Sequence, residues 1–110
     1  MVERTLNFDD VFASLADETR RNILALVSKQ ALTISQIADN NKLTYGAISK
    51  HILVLEKAKL VIKKRRGKEQ LVQIAPQAMS EAEEYLRNLS LAWEERFDAL
   101  ENYLVNNKET

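Results

Sequence analysis

A chain of 110 residues, 45% hydrophobic and without cysteine, is long enough for one domain that buries about 65% of its unfolded surface, with no need of disulfide or metal staples. No cofactor is expected. Its 16 basic and 16 acidic residues cancel, so attraction to a polyanion has to come from how the charges are distributed. No apolar run approaches the roughly 20 residues that span a bilayer, and Met1-Val2-Glu3-Arg4 does not begin a charged-then-apolar leader. A cytoplasmic location with no membrane partner is the expectation.

In chain order, Asn7 and Asp17 are good caps for helices over Phe8 to Leu15 and Glu18 to Val27, with Phe12, Leu15, Ile23, Leu24 and Val27 available for the core. Arg20 and Arg21 lie either near DNA or on the solvated face, the latter being preferred. Thr33 with Gln36 three residues later forms a capping-box pattern, which starts a short helix from Ile34 to Asn40. The polar segment Asn40-Asn41-Lys42 interrupts it. Thr44 then caps a second helix whose Ile48, Ile52 and Leu55 recur at helical spacing and face the core. On its opposite side Tyr45, Gly46, Ser49, Lys50 and Leu53 project outward from a helix placed where a recognition helix would meet base edges and phosphates.

After Lys59 the pattern changes. Leu60-Val61-Ile62 and Gln70-Leu71-Val72-Gln73-Ile74 flank a turn containing Gly67, the signature of a hairpin. Five of the six residues from Lys63 to Lys68 are Lys or Arg (Lys63, Lys64, Arg65, Arg66, Lys68), and such a ribbon can lie along a phosphate backbone or reach into the minor groove. Basic hairpins also serve simply as solvated edges protected against aggregation. Attached to two short helices at this spacing, however, the hairpin predicts double-stranded DNA as the partner. From Thr44 to Gln70 eight bases face two acids, a balance of +6, whereas from Glu81 to Thr110 eight acids face three bases, a balance of −5. A phosphate backbone is attracted to one end and repelled by the other.

Pro76 suits a first helical position, and Ser80 with Glu83 offers another capping box, after which the chain reads as helical to about Val105. A helix of that length, about 45 Å, exceeds the roughly 30 Å span of a domain this size. Ala82, Leu86, Leu89, Trp93, Phe97, Leu100 and Leu104 recur along it at three- and four-residue steps, so part of the stripe needs cover from outside its own core. A second copy is the simplest cover, with Phe8 and Phe12 joining the seam, and a two-fold dimer would place two reading helices on one duplex. The competing expectation is that the helix breaks or folds back near Asn88-Leu89-Ser90. Together the elements predict a mainly α chain with a small β-hairpin, ordered α-α-α-α-β-β-α. They form a single winged helix-turn-helix domain over 1–110, in which 1–16 and 76–105 make the dimer.

Three segments carry a family resemblance. Leu15-Ala16-Asp17-Glu18-Thr19-Arg20-Arg21-Asn22-Ile23-Leu24, then Ala47-Ile48-Ser49-Lys50-His51-Ile52, then Val54-Leu55-Glu56-Lys57-Ala58 resemble the ArsR/SmtB repressors. Trp93-Glu94-Glu95-Arg96-Phe97-Asp98-Ala99-Leu100-Glu101 looks like the last helix of the branch without metal sites. The resemblance implies a homodimeric bacterial or archaeal transcriptional regulator, usually a repressor. Its first and last helices would form the dimer and its fourth helix would enter the major groove of an inverted-repeat operator. The chain departs from the pattern at Tyr45 and Gly46, where Gln and a Pro or Ser are frequent, at Leu53, where a polar residue is frequent, and at Lys59, where Gly is usual. The operator is therefore not transferable, and Lys59 in a left-handed turn would cost about 1 kcal/mol.

The expected DNA contacts are thus Thr44, Tyr45, Gly46, Ser49, Lys50, His51, Lys63, Lys64, Arg65, Arg66 and Lys68. The expected dimer contacts are Phe8, Phe12, Leu86, Leu89, Trp93, Phe97, Leu100 and Leu104. The metal sensors of the family use Cys pairs on the third helix or His and acidic pairs on the last. Ile34-Ser35-Gln36-Ile37-Ala38-Asp39 has no thiolate and the last helix no histidine, so no metal site is expected. His51, the single histidine, has two open roles: a phosphate contact or a helix-packing hydrogen bond. Thiol redox switching is excluded without cysteine. Catalysis is not expected, because no nucleophile is paired with a base and no glycine-rich phosphate loop is present. The remaining alternative is a protein-binding winged helix, suggested by the apolar Tyr45 and Leu53 on the reading face.

Overall fold

The computed structural model describes residues 6–108. The expected leader-free start and residues 1–5 of the expected dimer segment lie outside this range. Within it the order is α1 (Phe8–Leu15), α2 (Glu18–Lys29), β1 (Leu32–Thr33), α3 (Ile34–Asn41), α4 (Tyr45–Lys57), β2 (Val61–Arg66), β3 (Glu69–Ile74) and α5 (Pro76–Lys108). The chain divides into two compact units, one ending at Ser80 and the other beginning at Glu81.

Helices α1 to α4 each begin on a side chain that accepts from one or two of the orphan N–H groups. Asn7 Oδ1 accepts from the N–H groups of Asp9 (2.9 Å) and Asp10 (3.2 Å), and the two aspartates add negative charge at the positive end of the helix. Asp17 Oδ1 accepts from Arg20 N–H at 3.0 Å. The Thr33–Gln36 capping box is reciprocal, at 3.1 and 2.9 Å, and Thr44 Oγ1 accepts from Ala47 N–H at 3.1 Å.

The C-terminal ends are closed in two ways. Helices α3 and α4 both finish on a lysine in the left-handed region, Lys42 at φ 56 and Lys59 at φ 65. In each case the following residue reaches back to the helix: Leu43 N–H to Ala38 O (3.1 Å) and Leu60 N–H to Leu55 O (3.0 Å). This is the Schellman arrangement, usually built on glycine. The end of α1 is closed by arginines instead. Arg20 donates from Nε to Ser14 O (2.6 Å) and from Nη2 to Ala13 O (3.2 Å), and Arg21 Nη1 donates to Leu15 O (2.8 Å). Arg20 is therefore half-buried rather than on the solvated face expected for it, while Arg21 is exposed.

The sheet is three-stranded and antiparallel in the order β1-β3-β2. The hairpin pairs Val61 with Ile74 at its base and Arg66 with Glu69 at its tip, leaving Gly67-Lys68 as a two-residue loop. Gly67 at φ 62 takes the first central position, where a type II′ turn needs glycine. Strand β1 adds to the elements expected from spacing; it pairs Leu32 with Val72 and Thr33 with Leu71, tying the hairpin to the start of α3. Ile23, Leu24, Val27, Ile34, Ile37, Ile48, Ile52, Leu55, Leu60, Val61 and Val72 are buried and form the core, with Val11 of α1. Ser14 is also buried, and its hydroxyl donates to Val11 O at 2.7 Å. Phe12, expected in that core, is 37% exposed; it lies one residue beyond Val11 on the α1 wheel and stacks on Phe8 at 6.4 Å.

Helix α5 starts at Pro76, as its fixed φ and missing N–H favour, and runs without interruption through Ser80 and through 88–90. Ser80 is thus an interior residue and not a second cap, and the break considered near Asn88-Leu89-Ser90 does not occur. In the second unit Glu83 pairs with Arg87 one turn on, and Trp93 packs on Phe97 with ring centres 5.9 Å apart. Leu86, Leu89, Trp93, Phe97, Leu100 and Leu104 are 44–61% exposed.

Candidate nucleic-acid interface

Helix α4 has two unlike sides. Ile48, Ile52 and Leu55 have no exposed surface and fix the helix on the core. Tyr45, Gly46, Lys50 and Leu53 on the other side are exposed, and Ser49 is half-buried. Thr44 is exposed, with its hydroxyl oxygen engaged as the helix cap.

His51 stands on the flank between these sides, half-buried. Its Nδ1 lies 3.3 Å from Arg20 Nη1 and 3.9 Å from Asp17 Oδ1. A guanidinium can only donate, so Nδ1 accepts and the ring proton sits on Nε2. The single histidine thereby joins α4 to α2 and, through Arg20, to the carbonyls that end α1. Asp17 shares in this junction: the N–H of Arg20 that it caps, together with the nearby Arg20 guanidinium, holds its carboxyl below the ordinary value of 3.8.

In the hairpin, alternation along β2 places Val61 inward and Ile62 outward. Lys63, on the Val61 side, is half-buried and pairs with Glu56 of α4 at 3.3 Å. Lys64, Arg65, Arg66 and Lys68 are exposed. Arg65 folds back at the tip, its Nε donating to Gly67 O at 3.2 Å. Among the described residues Lys64, Arg66 and Lys68 make no ion pair. A small depression lined by Thr33, Ile34, Ser35, Tyr45, Lys68, Glu69 and Gln70 brings the first residue of α4, the first turn of α3 and the tip of the hairpin together.

The residues singled out from sequence therefore converge in part. Tyr45 and Lys68 share a depression, and Lys63 touches α4, but its charge is already matched by Glu56. Sequence spacing does not single out Arg20, Glu56 or Ser35. Arg20 sits 31 positions from His51, and no local pattern signals a contact over that separation. Among the described residues no cluster of three or more His, Cys, Asp or Glu is placed to hold a metal ion, and no helix is long and apolar enough to cross a membrane.

Comparison with known proteins agrees with this geometry. Residues 17–63 match the family described as "Bacterial regulatory protein, arsR family". The chain is 44% identical to YuzN of Bacillus subtilis (strain 168), an uncharacterized HTH-type transcriptional regulator, over 56% of this chain and 75% of that one. It is 32% identical to the transcriptional repressor SdpR of the same organism, over 54% of this chain and 66% of that one. Among solved structures, an ArsR-like transcriptional regulator from Rhodococcus sp. RHA1 superimposes with a TM-score of 0.72 at 27% identity, covering 84% of this chain and 87% of that one. The homodimeric winged helix-turn-helix DNA-binding domain of a possible ArsR-family regulator from Mycobacterium bovis shares the fold, with a TM-score of 0.64 at 22% identity over 76% of this chain and 77% of that one. The family and these relatives are regulators, not enzymes. The chain belongs to the ArsR family and is a transcriptional regulator built on a winged helix-turn-helix DNA-binding fold.

Proposed function

We propose that the chain works as a homodimeric, sequence-specific repressor that binds an inverted-repeat operator in the cytoplasm. Residues 44–57 enter the major groove of each half-site, and the hairpin tip 63–68 lies on the backbone or in the minor groove. The observation that carries this reading is the pairing of the exposed side of α4 with an exposed cationic strand, within a segment whose balance is +6. Thr44, Tyr45, Gly46, Ser49 and Lys50 would meet bases and phosphates, with His51 at their flank, and Lys63, Lys64, Arg65, Arg66 and Lys68 would neutralise the backbone. The whole chain, 1–110, acts as one DNA-binding unit. Its segments 1–16 and 76–105 meet a second copy through Phe8, Phe12, Leu86, Leu89, Trp93, Phe97, Leu100 and Leu104. Support for repression comes from the relative SdpR, and support for a dimer from the Mycobacterium bovis domain.

Selection from a random duplex library with the purified protein, followed by binding at several salt concentrations, tests this. The expected result is an inverted repeat bound with a log–log salt slope near −0.9 for each phosphate neutralised, several in a dimer. Failure to enrich any duplex, or binding that ignores salt, would instead favour a winged helix that docks on protein through Tyr45 and Leu53.

A further inference from the structure

A helical period of 3.6 residues lines up Gly46, Lys50, Leu53 and Lys57 along α4, opposite the fully buried Ile48, Ile52 and Leu55. All four are exposed. Leu53 keeps 47% of its surface in contact with solvent, in the middle of the face that the DNA reading assigns to the major groove. Groove edges present hydrogen-bond donors and acceptors almost throughout, and the one apolar group among them is the C5-methyl of thymine.

Gly46 belongs to the same ridge, two turns earlier. Glycine within a helix costs stability relative to alanine, and two common reasons for keeping it are missing here. Its φ is not in the left-handed region, and a Cβ built on it would meet nothing within 4 Å. Among the described residues nothing requires the bare backbone at Gly46. Seven residues, roughly 10 Å of helix axis, separate Gly46 from Leu53. A ridge with no side chain at position 46 lets α4 settle deep enough there for Leu53 to reach a base.

We infer that Leu53 reads a thymine methyl group in each half-site, and that Gly46 sets the depth of approach that makes this contact. Lys50 and Lys57, between and beyond them on the ridge, are long enough to turn toward the flanking phosphates. The inference rests on the DNA reading of α4.

The test uses the operator selected by the full-length protein. Its thymines are replaced one at a time by deoxyuridine, which removes only the methyl group. One position per half-site is expected to raise Kd by about fourfold, the effect of removing one buried methyl. Leu53→Ala should bind the thymine and uracil operators equally at that position. Gly46→Ala should raise Tm by about 3 °C, yet bind the thymine operator at least threefold more weakly and lose the discrimination. A selected operator indifferent to methyl removal at every position would overturn the inference and leave the DNA reading standing. So would discrimination that survives in Leu53→Ala. A Gly46→Ala protein that binds and discriminates like the parent would remove Gly46 from the mechanism. If no duplex is selected at all, the DNA reading falls and this inference with it.

Discussion

Helices α4 and α5 both repeat apolar residues at three- and four-residue steps, and they end in opposite situations. In α4 the stripe Ile48, Ile52, Leu55 is wholly covered by the core of its own unit. In α5 the stripe Leu86, Leu89, Trp93, Phe97, Leu100, Leu104 remains about half exposed. Burying a large aliphatic or aromatic side chain contributes about 1.5–3 kcal/mol, so six such residues left in water make a surface that a second copy can cover with large gain. The same periodicity thus encodes two different things: attachment to the domain in α4, and in the proposed dimer attachment to a partner in α5. The charges divide in parallel. The +6 balance lies over α4 and the hairpin, and the −5 balance over residues 81–110, so a phosphate backbone is attracted to the first and repelled by the helix that the proposed dimer would use.

One substitution in each stripe separates the two roles. Ile52→Ala should cost about 2–5 kcal/mol, a large share of the roughly 5–15 kcal/mol that holds a domain together, and denaturant unfolding would show it. Leu100→Glu should instead leave the core of the first unit folded and dissociate the copies, abolishing tight operator binding because one recognition helix contacts one half-site. Light scattering and circular dichroism separate these outcomes. Dimers that persist in Leu100→Glu would place the contact elsewhere.

A smaller effect is expected in the hairpin. Replacing Lys64, Arg65 and Arg66 together by Gln should weaken binding to all sequences alike and flatten the salt slope by about 0.9 for each phosphate no longer neutralised. Stability should change little, since these side chains are exposed and make no ion pair among the described residues. Lys63 already has its charge matched by Glu56 at 3.3 Å, so Lys63→Gln should change the slope less than any of the other three. An unchanged slope in the triple variant would take the hairpin out of the interface.

How far the sequence carries the structure differs between local and distant relations. The caps Asn7, Asp17, Thr33 and Thr44, the inward face of α4 and the hairpin all follow from residues within a few positions of one another, and all are found where spacing puts them. Strand β1 is not legible in this way because two residues, Leu32-Thr33, are too few to show alternation, and Thr33 reads first as the cap of α3. The Ser80–Glu83 pattern does not act as a capping box because Pro76 starts the helix one turn earlier, leaving Ser80 no free N–H groups to satisfy. Phe12 has core-like chemistry, but the α1 wheel turns Val11 and Ser14 inward instead. For the candidate site, the exposed side of α4 and the basic strand can be read from spacing. The Arg20–His51 junction and the Glu56–Lys63 pair depend on how elements pack, and no local pattern contains them.

The smallest expected effect concerns how α4 ends. Lys59 adopts φ 65, where a side chain crowds the backbone at a cost of about 1 kcal/mol or more, and Gly accepts that conformation freely. Gly also gives the unfolded chain more freedom, which offsets part of the gain, so Lys59→Gly should stabilise the fold by about 0.5–1 kcal/mol. Lys42, at φ 56 behind α3, offers the same substitution with the same sign. Neither residue belongs to the apolar stripe of α5, so thermal unfolding should rise while the dimer is untouched. The Schellman bonds explain why the chain tolerates lysine there: Leu60 N–H to Leu55 O at 3.0 Å closes the helix while Leu60 and Leu55 are both buried. The hydrophobic contact that accompanies such caps then holds the turn even without glycine. If Lys59→Gly lowered stability instead, the lysine side chain would have to contribute more than its strained backbone costs, and the end of α4 would owe its position to that side chain rather than to Leu60.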